Sequence, residues 1–343
     1  HTDDTTYLAS SANNNRWMMR RSVTRAGLAG LVLACTSGLA AQEAGSPPPP
    51  LPPSNEIEVR ADRRVEPEEL RDTARTVATP LRFQEVVPRF HDAVCPKVVG
   101  VDAKITRLIE ARISAVADYV ELPKPKENCS PNAIVLILEQ PPEMFEKVMN
   151  KRFGLLGPRD IRDQTLNTIR ADLQAGKPVV AWNQITVRNN DGPTVLDGSA
   201  IPVSGNGFGE GLPTIQTPFA SRLRSNIFRA KDVSVVVLDM KQLVDVEAIQ
   251  LADFAALYLL GWPRRNIDYD AMATSSLLTL FRDGPKQSPA EMTDFDRAYL
   301  KGIYSLRRNE WSNRLGRSIL AAYEAQCSEE GVPCPPEPEP ADK

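Results

Sequence analysis

The stretch VSVVVLDMKQLVDVEAIQLADFAALYLLG, residues 233–261, decides how the rest of the chain is organised. Residues 233–238 form an apolar run rich in valine, which is typical of a buried strand. The helix that follows is the most apolar in the sequence. We expect it to begin near Asp245 as N-cap, with Glu247 in its first turn, and to end at Gly261. Its last residues carry no charge, so the helix should lie inside a domain.

Apolar periodicity on both sides of this stretch predicts further strands and helices. Strands are expected at residues 95–101, 132–138 and 179–187, and helices at residues 103–120, 141–154, 158–174, 270–282, 295–308 and 310–326. Asp102 and Thr293 stand at N-cap positions, and Asp296 completes a capping box with Thr293. Strands and helices alternate early and helices dominate late. The sequence therefore predicts one α+β domain with a mixed sheet packed by helices and a helical C-terminal half.

The ends of the 343-residue chain have a different composition from this domain. We interpret the chain as upstream or disordered residues 1–17, a signal peptide at 18–41, a proline-rich linker at 42–55, the α+β domain at 56–330 and a disordered tail at 331–343. The apolar centre of the signal is too short to span a membrane. Val32-Leu33-Ala34-Cys35 resembles a lipobox, so a lipid anchor at Cys35 is the alternative to cleavage after Ala41. Either way, we predict export to the periplasm or cell envelope.

The cysteines fit an exported protein. Outside Cys35 there are four, and an even number in an exported chain predicts two disulfides. We favour Cys95–Cys129 and Cys327–Cys334, while the other two pairings remain open. The absence of a CxxC motif and the scarcity of histidine argue against a zinc site. We expect no metal and no cofactor, and the net charge of −3 gives no basic footprint for nucleic acid.

Few residues are candidates for catalysis. Apart from His1, the only histidine is His91, for which no nucleophile is marked nearby, so we predict a structural role. Asp253 precedes an apolar run, where burial can raise the pKa of a carboxylate into the range of a general acid or base. Gln250 and Asp294 are its candidate partners. At the start of a helix, however, Asp294 is more typical of a residue that favours the helix dipole.

Three segments resemble a group of exported bacterial proteins of unknown function: LADF at 251–254, LLTLF at 277–281 and MTDFDRAYLKGIY at 292–304. The similarity spans about residues 85–325. The backbone plan of these proteins is similar to that of zincin-like peptidases, in which a buried helix carries HExxH. If Gly261 takes the place of the glycine after that motif, the site positions fall on Phe254, Ala255 and Tyr258. None is the expected His, Glu or His, so the resemblance implies a zincin-like shape without zinc or peptidase activity.

Three functions are compatible with these patterns. The first is a non-catalytic binding or scaffolding domain, a pseudo-zincin whose partner is an unknown envelope protein or peptide. The second is a metal-independent hydrolase that uses Asp253 with a nearby carboxylate or amide. It requires Asp253 to face a cleft with a second acid within about 5–10 Å. The third is a peptide binder that adds a partner strand to an exposed sheet edge near Trp182.

Overall fold

The computed structural model describes residues 65–81, 85–151, 159–189 and 225–329. These residues contain four strands and eight α-helices. The strands are β1 (Pro96–Val99), β2 (Ala133–Leu138), β3 (Val179–Asn189) and β4 (Ile227–Asp239). The helices are α1 (Pro67–Val77), α2 (Ala103–Tyr119), α3 (Pro141–Lys151), α4 (Arg159–Gln174), α5 (Ala248–Leu260), α6 (Leu280–Asp283), α7 (Asp294–Ser305) and α8 (Leu315–Glu329). The predicted α+β class is confirmed.

The strands form one mixed sheet in the order β1-β2-β4-β3. β1, β2 and β4 are parallel, and β3 runs antiparallel to β4. Every residue of β2 is buried, as expected for a continuous apolar strand covered on both faces. β4 begins at Ile227, six residues before the predicted start at Val233. Polar residues such as Arg229 and Lys231 obscure this first half in the sequence.

Helices cover both faces of the sheet. On one face, α2, α5 and α7 form the larger core with inward side chains of β2 and β4. On the other face, α3 and α4 pack on a smaller apolar layer that contains Phe145 and Trp182. Ten of the 13 residues of α5 are buried, so this helix lies inside the domain as its composition predicts.

Two predicted helix caps are confirmed. The Asp102 carboxylate accepts hydrogen bonds from the backbone N–H groups of Lys104 (2.8 Å) and Ile105 (3.2 Å) at the start of α2. The Thr293 hydroxyl and the Asp296 carboxylate form a reciprocal capping box at the start of α7. Both caps satisfy N–H groups that have no partner within the helix.

The predicted N-cap of α5 is wrong by two residues. Glu247 occupies the N-cap position, and Asp245 lies in the preceding turn with φ 63°. Aspartate is one of the few residue types that adopt this left-handed conformation readily. Asp245 therefore shapes the turn into the helix instead of capping it.

The helix predicted at residues 270–282 does not form. Its place is taken by a 3₁₀ turn at Tyr269–Ala271 and by a second 3₁₀ turn at Leu277–Thr279 that continues directly into the four-residue α6. The buried Asp296 carboxylate accepts hydrogen bonds from Ser276 Oγ (2.5 Å) and Leu277 N (2.8 Å). Ser276 is held extended, with φ −149° and ψ 144°. A contact across 20 residues thus overrides the local helix preference of this segment.

A buried lysine lies at the C-terminal end of α5. Lys231, on the first half of β4, donates from Nζ to the backbone carbonyls of Leu259 (3.1 Å) and Gly261. Carbonyls at the end of a helix lack partners within it and carry the negative end of its dipole. Burial lowers the pKa of Lys231 to about 7.

A buried arginine likewise donates to backbone carbonyls at the C-terminal end of α7. Arg89 donates to the carbonyls of Ile303 and Leu306, and burial lowers the pKa of its guanidinium to about 10. The two cations lie on adjacent backbone segments, because Arg89 N donates to Arg229 O (3.3 Å) and Lys231 N donates to Arg89 O (2.9 Å). This short bridge extends the sheet beside the first half of β4.

The predicted disulfide between Cys95 and Cys129 is present and encloses β1 and α2, with a Cα–Cα distance of 6.1 Å. The Cys327–Cys334 pair lies outside the residues with described side chains, and so do Cys35, the signal peptide, the linker and the tail. Within the four described ranges, no helix has the length and apolarity needed to cross a membrane.

Candidate functional site

Asp253 is fully buried and both of its carboxylate oxygens have partners. Arg112 of α2 binds it through two hydrogen bonds, from Nε to Oδ1 (2.6 Å) and from Nη2 to Oδ2 (2.8 Å). The backbone N–H of Met292 donates to Oδ2 as well (2.9 Å). Arg112 Nη2 also contacts the exposed carboxylate of Glu291 (3.2 Å). Asp253 therefore joins α5 to α2 and to the segment before α7.

The candidate partners of Asp253 are engaged elsewhere. The buried Gln250 amide donates to the carbonyls of Pro285 (3.1 Å) and Pro289 (2.7 Å), which holds the loop after α6 against α5. Asp294 is half-exposed in the first turn of α7 and pairs with Arg297. The hydrogen bonds and ion pairs of these two side chains involve neither Asp253 nor each other, so the described residues contain no evident catalytic pair.

His91 packs against an aromatic ring. Its imidazole meets the Phe228 ring edge to face, with centroids 4.7 Å apart, and its buried Nε2 has no hydrogen-bond partner among the described residues. Burial, together with the nearby Arg89 and Arg308, lowers the pKa of His91 to about 3. A neutral imidazole with so low a pKa is a weak base at neutral pH.

The three positions suggested by the zincin resemblance carry packed side chains. Phe254 and Ala255 are fully buried, and the Phe254 ring lies 4.9 Å from those of both Tyr258 and Phe281. Burial raises the pKa of Tyr258, whose hydroxyl is hydrogen-bonded to Tyr269. Phe254 and Ala255 offer no metal donor. Among the residues with described side chains, no group of three or more His, Cys, Asp or Glu could hold a metal.

A concave surface lies at the edge of β3 that has no strand partner among the described residues. This cavity, which we name the edge groove, has a volume of about 460 Å³. Its floor contains Val179, Ala181 and Asn183 of β3. Its wall is formed by aromatic side chains at the end of α5 and beyond, namely Tyr258, Trp262, Tyr269 and Phe281.

The β3 backbone presents unpaired groups to this groove. In the described part of the chain, β4 pairs with one side of β3 and no strand pairs with the other. Asp239 N donates to Pro178 O (3.1 Å), so these two residues form a hydrogen-bonded pair of the antiparallel ladder. Such pairs recur at every second residue of the strand. Val180 and Trp182 consequently direct their N–H and C=O groups toward β4. Val179, Ala181 and Asn183 direct theirs toward the open edge, next to Trp182 as the sequence predicts.

Two buried oxygens near the groove have no donor. Asn183 Oδ1 and Ser234 Oγ are unpartnered within the described residues, and these two residues face each other across β3 and β4. Each unsatisfied buried polar group costs about 1–3 kcal/mol. Asn183 also lines the groove, but its unpartnered Oδ1 is itself buried.

Charged side chains surround the same edge. Asp172 of α4 accepts contacts from Lys177 (2.7 Å) and Arg265 (2.5 Å). Burial alone would raise the pKa of Asp172, but these hydrogen bonds outweigh it and lower the pKa. Arg282 also lines the groove and pairs with Asp270 and with Asp283. The lining holds three cations and one carboxylate, so its net charge is positive.

A second, smaller cavity of about 230 Å³ adjoins the same edge on the side of α4. Its lining includes Thr168 and Ile169 of α4, and Ala181 is common to both cavities. Side chains of an extended chain point alternately to the two faces of a sheet. The two cavities therefore lie where alternate side chains of an added strand would point.

The chain matches no family model, no curated protein and no solved structure. The resemblance to exported proteins of unknown function stays a prediction.

Sequence reasoning missed two residues that matter for the site. Arg112 lies 141 positions before Asp253, and nothing in the local sequence marks it as the partner. Asn183 could have been noticed as a polar residue inside the apolar strand VVAWNQITV. Its burial beside Ser234 becomes visible only once β3 and β4 are paired.

Proposed function

We propose that this domain is a non-catalytic binding module that receives an extended polypeptide segment as an additional strand at the β3 edge. The observation that carries the proposal is the row of outward backbone groups at Val179, Ala181 and Asn183, with a cavity on either side. Strand addition uses such groups for affinity and adjacent cavities for the choice of side chains.

The geometry favours a polypeptide over a small molecule. The outward groups recur at every second residue, which is about 6.6–6.8 Å along a strand and matches the repeat of another extended backbone. The aromatic wall formed by Tyr258, Trp262 and Phe281 suits an apolar side chain. Lys177 and Arg265 at the rim suit an acidic one. The proposed occupant is therefore a partner segment that carries an apolar and an acidic side chain.

The hydrolase alternative has weaker support. General acid–base chemistry needs a carboxylate that reaches a substrate. Asp253 has no exposed surface, and its oxygens are bound by Arg112 and the N–H of Met292. Glu291 shares Arg112 with it but is itself an exposed surface residue. This environment favours a structural role for Asp253.

We further propose that the protein works in the periplasm or cell envelope, held there by a lipid at Cys35 or released by cleavage after Ala41. The Cys95–Cys129 disulfide supports export, because disulfides persist in oxidising compartments and are rare in the cytosol.

The substitution Ala181→Pro tests strand addition. Proline removes one N–H that points away from β4, so the ladder between β3 and β4 keeps its hydrogen bonds. We expect Ala181→Pro to fold with nearly unchanged stability and to lose binding of peptides selected by display on the wild-type domain. Hydrogen exchange on the wild-type complex should show new protection of the amides of Val179, Ala181 and Asn183.

Val180→Pro is the matched control. It removes an N–H that donates to β4 and replaces a buried side chain, so it should destabilise the domain where Ala181→Pro does not. Peptides that bind Ala181→Pro as tightly as wild type, or that protect amides remote from β3, would contradict strand addition. If a segment of this chain already protects these β3 amides in the free protein, the proposal of a separate partner would be contradicted.

A further inference from the structure

A separate cavity of about 800 Å³ lies between α1 and α8. Its described lining contains no carboxylate. It contains four arginines, which are Arg71, Arg75, Arg264 and Arg317. The chain as a whole has a net charge of −3, so this concentration of positive charge is local. We name it the arginine cavity.

Two of these arginines are held in place and two are free to bind. Arg264 donates to the carbonyls of Arg75 (2.8 Å) and Ala78 (3.4 Å), which fixes its guanidinium at the cavity wall. Arg75 contacts Asp72 (2.8 Å). Arg71 and Arg317 are exposed and have no hydrogen bond or ion pair within the described ranges. Their guanidinium groups are available to a ligand.

The beginning of α8 adds a second source of positive potential. A 3₁₀ turn at Ser312–Arg314 leads directly into α8, and Ser312, Asn313 and Gly316 line the cavity. The first N–H groups of a helix and its dipole favour an anion there. A side chain at Gly316 would meet no heavy atom within 4 Å, so the space in front of this helix start is open.

We propose that the arginine cavity binds a phosphate group, either as a free phosphate compound or as the headgroup of an anionic lipid. Planar guanidinium groups bind phosphate oxygens in pairs, and arginine is the preferred residue for this recognition. The proposal is independent of strand addition, because the two cavities share only Thr79 and Arg264 does not line the edge groove.

The test is a titration of the purified protein with inorganic pyrophosphate, followed by calorimetry and by amide NMR shifts. We expect saturable binding with the largest shifts at residues 312–317. Co-sedimentation with phosphatidylglycerol vesicles, compared with phosphatidylcholine vesicles, separates the two sources. Retention by the anionic vesicles identifies a lipid headgroup, and pyrophosphate binding without retention identifies a free phosphate compound.

Variants make the assignment specific. The double substitution Arg71→Gln with Arg317→Gln should weaken pyrophosphate binding at least about tenfold, since it removes two sets of charge-assisted hydrogen bonds. Gly316→Glu should do the same by placing a carboxylate at the helix start, where it is compatible with folding. The control is Arg107→Gln, which changes an exposed arginine on α2 that lies outside the cavity.

Absence of saturable pyrophosphate binding to the wild-type domain would overturn the proposal. Equal weakening by Arg107→Gln and by the double variant would overturn it too, because the effect would then follow net charge alone. Thermal melts of all variants ensure that a loss of binding is not a loss of folding.

Discussion

Replacing Asp253 with alanine should destabilise the domain by about 3–5 kcal/mol, the range for breaking a buried ion pair. Two losses contribute. The buried N–H of Met292 is left without its acceptor, which costs about 1–3 kcal/mol. Arg112 loses two charge-assisted bonds. Its side chain is 34% exposed and keeps Glu291 at 3.2 Å, so water and that carboxylate recover part of the second loss.

A set of variants separates this ion pair from its surroundings. Asp253→Asn keeps an acceptor for Met292 but presents an amide N–H₂ to Arg112, so its cost should fall below that of Asp253→Ala. Glu291→Gln should cost no more than about 1 kcal/mol, because the Glu291 side chain is 63% exposed. Combining Asp253→Ala with Arg112→Ala should cost less than the sum of the single changes, since residues in direct contact couple by about 0.5–3 kcal/mol.

Urea denaturation measures these differences from the midpoint, provided that the slope of the transition is unchanged. An Asp253→Ala variant within about 0.5 kcal/mol of wild type, as is usual for surface changes, would refute the structural role. Strict additivity with Arg112→Ala would refute the ion pair. A hydrolytic activity that Asp253→Asn abolishes while leaving the fold intact would restore the catalytic alternative.

Two further predictions concern stability. The pKa of His91 in the folded state, about 3, lies below the ordinary 6.5, so the folded state binds fewer protons. The contribution of His91 to the free energy of unfolding should therefore fall as the pH decreases from about 6.5 to about 3, by at most about 1.4 kcal/mol per pH unit. In urea titrations at several pH values, His91→Phe should make the free energy of unfolding less dependent on pH in this range. An unchanged pH dependence would contradict the low pKa of His91. A Cβ at Gly302 would lie 2.6 Å from Ile319 Cα, so Gly302→Ala should separate α7 from α8 and cost about 1–3 kcal/mol. Gly316→Ala, which has open space, should be neutral or stabilising by up to about 1 kcal/mol, and equal melting temperatures for the two variants would contradict the close contact.

The elements that sequence predicts best are those whose signals are local. The apolar run of β2, the Asp102 cap of α2 and the capping box of α7 depend on residues a few positions apart, and all three are found. The predicted start of α5 is wrong because Asp245 is the favoured type of N-cap residue, whereas Glu247, which occupies that position, makes no side-chain capping bond. Only the turn geometry, with Asp245 at positive φ, distinguishes them.

Long-range contacts explain what could not be predicted. The segment at 270–282 has a helical pattern, yet Asp296 binds Ser276 and Leu277 and holds Ser276 extended, through contacts that follow from the packing of α7. Asp253 precedes an apolar run and is buried, but the environment of its carboxylate is determined by Arg112 on another helix. Likewise, the edge position of β3 depends on the order of strands in the sheet.

The buried Arg89 has a consequence for how the protein is made. It lies 214 residues before Ile303, whose carbonyl it binds at the end of α7. Any chain synthesised or transported N-terminus first presents Arg89 long before that carbonyl is available. Until α7 arrives, burying the guanidinium would leave a charge without a partner in an apolar core, which is strongly unfavourable. We therefore expect the segment around Arg89 to pack only once α7 is available, so that a chain truncated before α7 fails to bury this arginine.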